Sequence, residues 1–199
     1  MIFEALELIR AELQAYIKPF SATASVELGS VANVAGSQAD KILVSLINVE
    51  EEIALKNISP YQRNPMGGFD IKNPPVFLNL YVLIAANFNS NDTYSTALKL
   101  LARVIQCFQG KRTYTVANTP DAPSFTDPQA TMLYVTMDLH SLSFEKINQL
   151  WGTLGGKQVP FVCYKMRVVE EQDDKQIGGG SAIMTIETDG QVIEMKMDN

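Results

Sequence analysis

The chain has 199 residues, of which 46% are hydrophobic and 19% charged, and its formal net charge at pH 7 is −6. A compact domain of this size buries roughly 70% of its unfolded surface, so it needs no disulfide or metal for stability. The negative charge, without a basic cluster, argues against nucleic acid and anionic membrane as partners. Cys107 and Cys163 lie in apolar segments without metal-ligand spacing, so we expect two buried thiols.

The N-terminal part of the chain predicts one helix and two strands. Apolar residues recur at helical spacing over residues 2–17, which predicts an amphipathic helix. Its acidic residues stand where a secretory signal would be basic, so we expect a cytoplasmic product. Residues 23–28 resemble a short strand, and the alternation after Lys41 predicts a longer strand near residues 42–52.

Residues 54–75 contain four prolines and a Gly-Gly pair, which predicts a long irregular connection. A connection of this length in a compact domain is usually functional or serves as an interaction arm. It carries three apolar side chains, Tyr61, Met66 and Phe69. These residues are candidates for an interface, and packing against the core of the same chain is the alternative.

The stretch from Pro75 to Gly110 is the centre of the predicted fold. A near-continuous apolar run predicts a strand near residues 76–88 that is buried on both faces and therefore lies inside the sheet. Helical spacing follows near residues 92–109, with Gly110 as the expected left-handed terminator. The expected buried stripe of this helix comprises Tyr94, Ala97, Leu98, Leu101, Val104, Ile105 and Phe108.

The following part predicts another irregular segment at 111–131 and a strand near 132–139. A helix near 143–154 should begin at Ser143 and point Phe144, Ile147, Trp151 and Leu154 inward. The last long strand is expected near 159–170. Its Lys165 and Arg167 alternate with apolar residues, which indicates that one face meets solvent or a partner.

Together these elements predict an α/β (α+β) fold, with a mixed sheet of about four or five main strands and three helices packed on it. We expect this domain to span residues 1–171. Residues 172–199 read as a Gly-rich hinge and a β-hairpin arm turning at Asp189-Gly190. An isolated hairpin is marginal in water, so it should dock on a sheet of this chain or of a partner, and its candidate contacts are Ile193, Met195 and Met197.

No residue pattern supports catalysis. His140 lies between Asp138 and Ser141 on one strand end, and neighbours on one strand end do not supply the geometry of a catalytic triad. The acidic run Glu50 to Glu52 is typical of a solvated strand end, and no glycine-rich loop opens a helix to hold phosphate. We expect no catalytic residue, no cofactor and no metal site.

Several stretches taken together resemble one known family. In order they are PPVFLNLYVLIAANF (74–88), Tyr94 followed by ALKLLARVIQCFQGK (97–111), Asn-Thr-Pro (118–120), LHSLSFEKINQLWGTLGGK (139–157) and VPFVCYKMRV (159–168). The set is similar to the conserved N-terminal domain of the cap, or tail-terminator, proteins of extracellular contractile injection systems. These systems are phage-tail-like particles. The tail after Glu171 is not part of the pattern.

The resemblance implies a non-enzymatic role as a structural cap at the end of the tube and sheath distal to the baseplate. It implies a ring of six identical subunits whose partners are itself and the tube and sheath proteins, with neither nucleic acid nor membrane bound directly. Assembly would take place in the cytoplasm, and the protein would then be part of the particle. The residues alone fit an alternative equally well, namely a non-catalytic α/β module that binds a ligand or peptide.

Overall fold

The structure is a computed structural model that describes residues 1–33, 41–56, 59–65, 67–88, 91–155, 158–173, 175–180, 185–188 and 191–194. The helices and strands of this part, in chain order, are α1 (Ile2–Ile17), β1 (Ser25–Leu28), β2 (Lys41–Glu51), β3 (Tyr61–Arg63), β4 (Phe69–Lys72), β5 (Val76–Asn87), α2 (Asn91–Gly110), β6 (Thr113–Thr115), α3 (Pro128–Thr131), β7 (Tyr134–Leu139), α4 (Phe144–Thr153), β8 (Phe161–Glu171), β9 (Gln176–Gly180), β10 (Thr185–Thr188) and β11 (Gln191–Glu194).

The larger of two compact units comprises Met1–Ile53 and Phe77–Glu170. Its sheet has six strands in the order β1-β2-β5-β8-β7-β6. β1 is parallel to β2, whereas β2 and β5, β6 and β7, and β7 and β8 are antiparallel. The predicted mixed α+β sheet is therefore confirmed, and β5 lies in its interior, as its apolar sequence requires.

Two apolar clusters cover the two faces of this sheet. On one face, α1 and α2 pack over residues such as Val82 and Ile84 of β5. On the other face, Trp151 of α4 packs with Leu83 and Ala85, the alternate residues of the same strand. Burial on both sides explains why β5 shows no polar face from Val82 to Ala86.

Two details of the helix predictions are wrong. Tyr94, Leu98 and Ile105 of α2 are exposed, because the sheet contacts a narrower strip of the helix that is centred on Leu100, Val104, Cys107 and Phe108. Phe144, expected to point inward, is 92% exposed at the first residue of α4.

The predicted start and end of α4 are confirmed, whereas the predicted end of α2 is not. The Ser143 hydroxyl accepts a hydrogen bond from the Lys146 N–H, so the predicted start of α4 is confirmed. Gly155, with φ +97°, follows the end of this helix, as the sequence indicated. Gly110 is instead the last helical residue of α2 and has no positive φ, so its predicted left-handed conformation is wrong.

A charged link joins the two long helices on the first face of the sheet. The Nζ of Lys111, just after α2, lies 2.6 Å from the Oε2 of the buried Glu12 on α1. The same ammonium donates to the Asn118 carbonyl oxygen at 2.6 Å. Lys111 therefore fixes α1, the end of α2 and the turn after β6 to one another.

The smaller unit comprises Ala54–Val76 and Glu171–Asn199. The prediction that the connection 54–75 is irregular is wrong in part, because it contains β3 and β4. β4 pairs with β3 on one side and with β9 on the other, which gives a three-stranded sheet. The Gly-rich segment is not a hinge at Gln176–Gly180, because these residues form β9. Main-chain pairing with β4 stabilises extended glycines whose sequence alone favours a flexible linker.

Glycines allow the strands of the smaller unit to approach closely. A Cβ added at Gly68 would lie 2.6 Å from the Gly180 carbonyl oxygen, and one at Gly179 would lie 3.1 Å from the Phe69 carbonyl oxygen. β10 and β11 form a separate antiparallel pair, Thr185 opposite Glu194, in agreement with the predicted hairpin. Its expected turn at Asp189-Gly190 lies outside the described residues.

The charged link predicts a specific loss of stability. Replacing Lys111 by methionine leaves the buried Glu12 carboxylate without its cation, and we expect the free energy of unfolding to fall by about 2 kcal/mol. Chemical denaturation followed by circular dichroism measures the change. Lys41→Met is the matched control, because the more exposed Lys41–Glu27 pair should contribute less than about 1 kcal/mol. Equal losses in the two variants would contradict the prediction.

Candidate interaction surface

The sheet of the larger unit has a polar area beside α4. Helix α4 has ten residues and packs near Leu43, Leu83 and Cys163, so it covers only one end of its face. Further along the same strands, the side chains on this face are polar. We call this area the polar sheet face, and it comprises Glu50, Glu52, Asn79, Tyr81, Asp138, Lys165 and Arg167.

Hydrogen bonds order the acidic half of the polar sheet face. The Tyr81 hydroxyl donates to Glu50 Oε2 at 2.8 Å, and Asn79 Nδ2 donates to Glu52 Oε2 at 2.9 Å. The bond to the Glu50 carboxylate, followed by burial, raises the pKa of Tyr81 above its ordinary value. Both carboxylates are thereby held in place against the sheet rather than extended into water.

The basic half lies on β7 and β8. Arg167 Nε donates to Asp138 Oδ2 at 2.9 Å, and this carboxylate raises the pKa of the guanidinium. Lys165 Nζ lies 6.0 Å from the centre of the Tyr81 ring, and the His140 ring packs edge-on against the same tyrosine at 4.9 Å. The sequence-based expectation that Lys165 and Arg167 share one face of the strand is confirmed by their alternation with the buried Tyr164 and Met166.

A second exposed surface belongs to the smaller unit. The register places Tyr61 opposite Ile71 and Arg63 opposite Phe69, so these four side chains share one side of the three-stranded sheet. We call this side the aromatic face. On the neighbouring β9 the partners of Phe69 and Ile71 are Gly180 and Gly178, which carry no side chain. Tyr61 is 61% exposed, and Phe69 is exposed as well.

The sequence-based candidates therefore fall into separate groups. Lys165 and Arg167 lie on the polar sheet face of the larger unit, and Tyr61 and Phe69 lie on the aromatic face of the smaller unit. Ile193 lies in β11, where only the backbone is described. Met66, Met195 and Met197 lie outside the described residues.

The acidic half of the polar sheet face was not predicted from the sequence as an ordered site. The available signal was the pair Asn79 and Tyr81, two residues apart inside an otherwise apolar strand. A spacing of two places both side chains on one face of a strand. Their hydrogen-bond partners, Glu50 and Glu52, are far away in sequence, and the pairing of β2 with β5 is what brings them together.

The structure shows how Asp138 and the two cysteines are engaged. Asp138 binds Arg167 rather than His140. Burial raises the pKa of Cys107 to about 12 and that of Cys163 to about 11, so both thiols are protonated near neutral pH. Within the described ranges, no group of three or more His, Cys, Asp or Glu residues is arranged to hold a metal ion.

The larger unit is an α+β domain with a mixed sheet packed by helices on both faces. More particularly, the chain belongs to the Pvc16 N-terminal domain family, whose sequence model matches residues 4–183. No curated protein matches the sequence significantly. The described helices include none that is long and apolar enough to cross a bilayer.

Two solved structures share the fold. The sheath/tube terminator of the extracellular contractile injection system PVC, in its extended state, aligns with a TM-score of 0.66 at 13% identity over 100% of this chain and 65% of its own. The tube-terminating cap of the anti-feeding prophage aligns with a TM-score of 0.61 at 12% identity over 89% of this chain and 58% of its own. The chain thus spans less than two thirds of either protein.

The raised thiol pKa values predict that the native protein resists thiol reagents. At pH 8 only about one Cys163 side chain in a thousand is ionised, and fewer at Cys107, so Ellman's reagent should react with neither on the timescale of minutes. The denatured protein should react at both cysteines. Native reactivity at Cys163 should rise about tenfold for each pH unit between 7 and 9, in step with its thiolate fraction. Fast reaction of one native thiol at pH 8 would contradict the assigned burial.

Proposed function

We propose that the chain is a structural cap that closes the end of the tube and sheath of an extracellular contractile injection system. The observation that carries this proposal is the family match over residues 4–183, together with the fold shared with a sheath/tube terminator and a tube-terminating cap. Both solved structures bear names that describe an end-closing role. Tube and sheath proteins are accordingly the proposed partners, and the assembled particle is the proposed location after assembly in the cytoplasm.

We further propose a non-enzymatic role. The protonated thiols and the engagement of Asp138 with Arg167 support it, because neither arrangement provides an activated nucleophile or a triad. The hydrogen-bonded side chains of the polar sheet face instead provide a surface for binding. A cap requires binding surfaces on a stiff core, and the two apolar clusters on opposite faces of one sheet provide that stiffness.

The proposed assembly is a closed ring of six identical subunits. A ring needs two different surfaces on each subunit, because each copy contacts one neighbour on either side. The polar sheet face and the aromatic face are two such surfaces with different chemistry. We propose Lys165, Arg167, Tyr61 and Phe69 as contact residues for a neighbouring subunit, the tube or the sheath. Met66, Ile193, Met195 and Met197 remain sequence-based candidates, as does the division of the chain at residue 171.

Particle assembly tests the capping role directly. Particles should be expressed from their complete gene cluster with and without this chain, and imaged by negative-stain electron microscopy. We expect loss of the chain to remove density at the end distal to the baseplate and to broaden the distribution of particle length. Native mass spectrometry of the purified protein, alone and at high concentration, tests the ring. Normal, closed particles without the chain would overturn the proposal, and a monomer with no ring in any particle would overturn the sixfold state.

Replacement of Tyr61 by alanine should reduce incorporation of the chain into particles, because an exposed aromatic side chain supplies contact area at an interface. Tyr94→Ala is the matched control, since Tyr94 lies on α2, outside both named faces, and is 52% exposed against 61% for Tyr61. Immunoblotting of purified particles measures incorporation, and thermal unfolding verifies that both variants fold. Equal incorporation of both variants would remove the aromatic face from the interface.

Reversal of charge at Lys165 tests the polar sheet face separately. We expect Lys165→Glu to reduce incorporation, because it adds a carboxylate to a face that already holds Glu50 and Glu52. Lys99→Glu, on the exposed side of α2, changes the net charge by the same amount and should be incorporated normally. A similar loss in both variants would indicate an effect of net charge alone.

A further inference from the structure

The two edges of the six-stranded sheet are finished differently. At the β6 edge, the Asn118 side chain forms the hydrogen bonds that a neighbouring strand would otherwise form with β6. Its Oδ1 accepts from the Thr115 N–H at 3.0 Å, and its Nδ2 donates to the Thr113 carbonyl at 3.3 Å. Both main-chain groups would otherwise be open to a further strand, so this edge is closed by the chain's own side chain.

The opposite edge is open along the second half of β2. β1 pairs only as far as Val44, where the Gly29 N–H donates to the Val44 carbonyl at 3.2 Å. The main chain of Val44 therefore points away from β5. The main-chain N–H and C=O of Leu46, two residues further on, also point away from β5. A bulge follows Leu46, and beyond it the main chain of Val49, which lies opposite Leu80, again points away from β5. Within the described part of the chain, neither Leu46 nor Val49 has a hydrogen-bond partner on this outer side.

An apolar notch lies directly beside this open edge. Where the chain leaves β1 at Gly29, a cavity of about 280 Å³ opens between α1, β2 and the end of α4. Its lining includes Leu6, Leu28, Leu46 and Leu154. A free main-chain edge with an adjoining apolar cavity is the combination that strand addition uses, since hydrogen bonds give affinity and the cavity receives a side chain.

The negative charge of this edge determines which strand can bind beside it. β2 ends in Glu50, Glu51 and the adjoining Glu52, and Glu50 is exposed on the strand itself. An acidic strand placed alongside would meet like charge, whereas a basic strand would meet opposite charge. The chain's own hairpin strands, TIET and QVIE, carry only acidic charge and are poor candidates.

We propose that the outer edge of β2 from Leu46 to Glu50 is a docking site for an extended strand of a partner protein. The strand has an apolar side chain that enters the notch and basic side chains that face the glutamates. It adds to the sheet through the main-chain groups of Leu46 and Val49. This inference concerns the isolated chain and does not depend on the capping role.

A synthetic peptide that alternates valine and lysine is the probe. Amide hydrogen exchange by NMR should show slower exchange at Leu46 and Val49 when the peptide binds, and fluorescence anisotropy gives its affinity. Val49→Lys should weaken binding about tenfold, because an added cation repels the lysines and blocks the edge. Val76→Lys is the matched control, since Val76 is 43% exposed and Val49 41%. Peptides with glutamate in place of lysine, or with a central proline, should bind much more weakly.

Three outcomes would overturn the proposal. The first is equal affinity for the lysine and glutamate peptides, and the second is protection by the peptide at another strand while Leu46 and Val49 exchange as before. The third is protection of these two amides in the absence of peptide, if that protection becomes stronger as the protein concentration rises. This result would assign the edge to a second copy of this chain. The exchange measurements use the unmodified protein, so they decide the question even if Val49→Lys folds poorly.

Discussion

Strand β5 is apolar on both sides from Val82 to Ala86, so neither face of the sheet can be left to water at this strand. This constraint accounts for the arrangement of the larger unit. α1 and α2 are required on one face and α4 on the other, and β2 and β8 must flank the strand. Near its start, β5 carries the polar residues Asn79 and Tyr81 on the α4 side, so this part of the sheet face can be exposed to water without a helix over it. The polar sheet face is the part of the sheet that this strand does not oblige a helix to cover.

The Lys111 link shows how the first face is completed. Apolar packing brings α1 and α2 onto the same side of the sheet but does not by itself fix the end of one helix against the other. One ammonium that bonds Glu12 and the Asn118 carbonyl provides that fixed point. Asn118 in turn closes the β6 edge with its side chain. Helix position and edge protection are therefore coupled through two adjoining polar residues at one corner of the unit.

The long elements were predictable because each has a strong period of its own. α1, β2, β5, α2, β7, α4 and β8 all occur within a few residues of their predicted positions. The misses arise where structure depends on partners distant in sequence. β9 contains three glycines and becomes a strand only through β4, and β3 and β4 are short strands inside a proline-rich segment. Phe144 was placed inward by its spacing, but the first residue of α4 points away from the sheet.

The interaction surfaces were predictable only in part. The shared face of Lys165 and Arg167 followed from their alternation with apolar residues along one strand. The contact of Glu50 with Tyr81 depends on the register between β2 and β5, which the sequence does not give.

The covalent connection of the two units has a mechanical consequence. The chain passes between them at residues 53–54, 76–77 and 170–171, that is, close to the ends of β2, β5 and β8. These three strands are neighbours in the sheet. A tensile load on the smaller unit therefore enters the larger unit through three adjacent strands. The load is divided among three strands and the hydrogen-bond ladders between them, whereas a load on a single edge strand would be carried by one ladder alone.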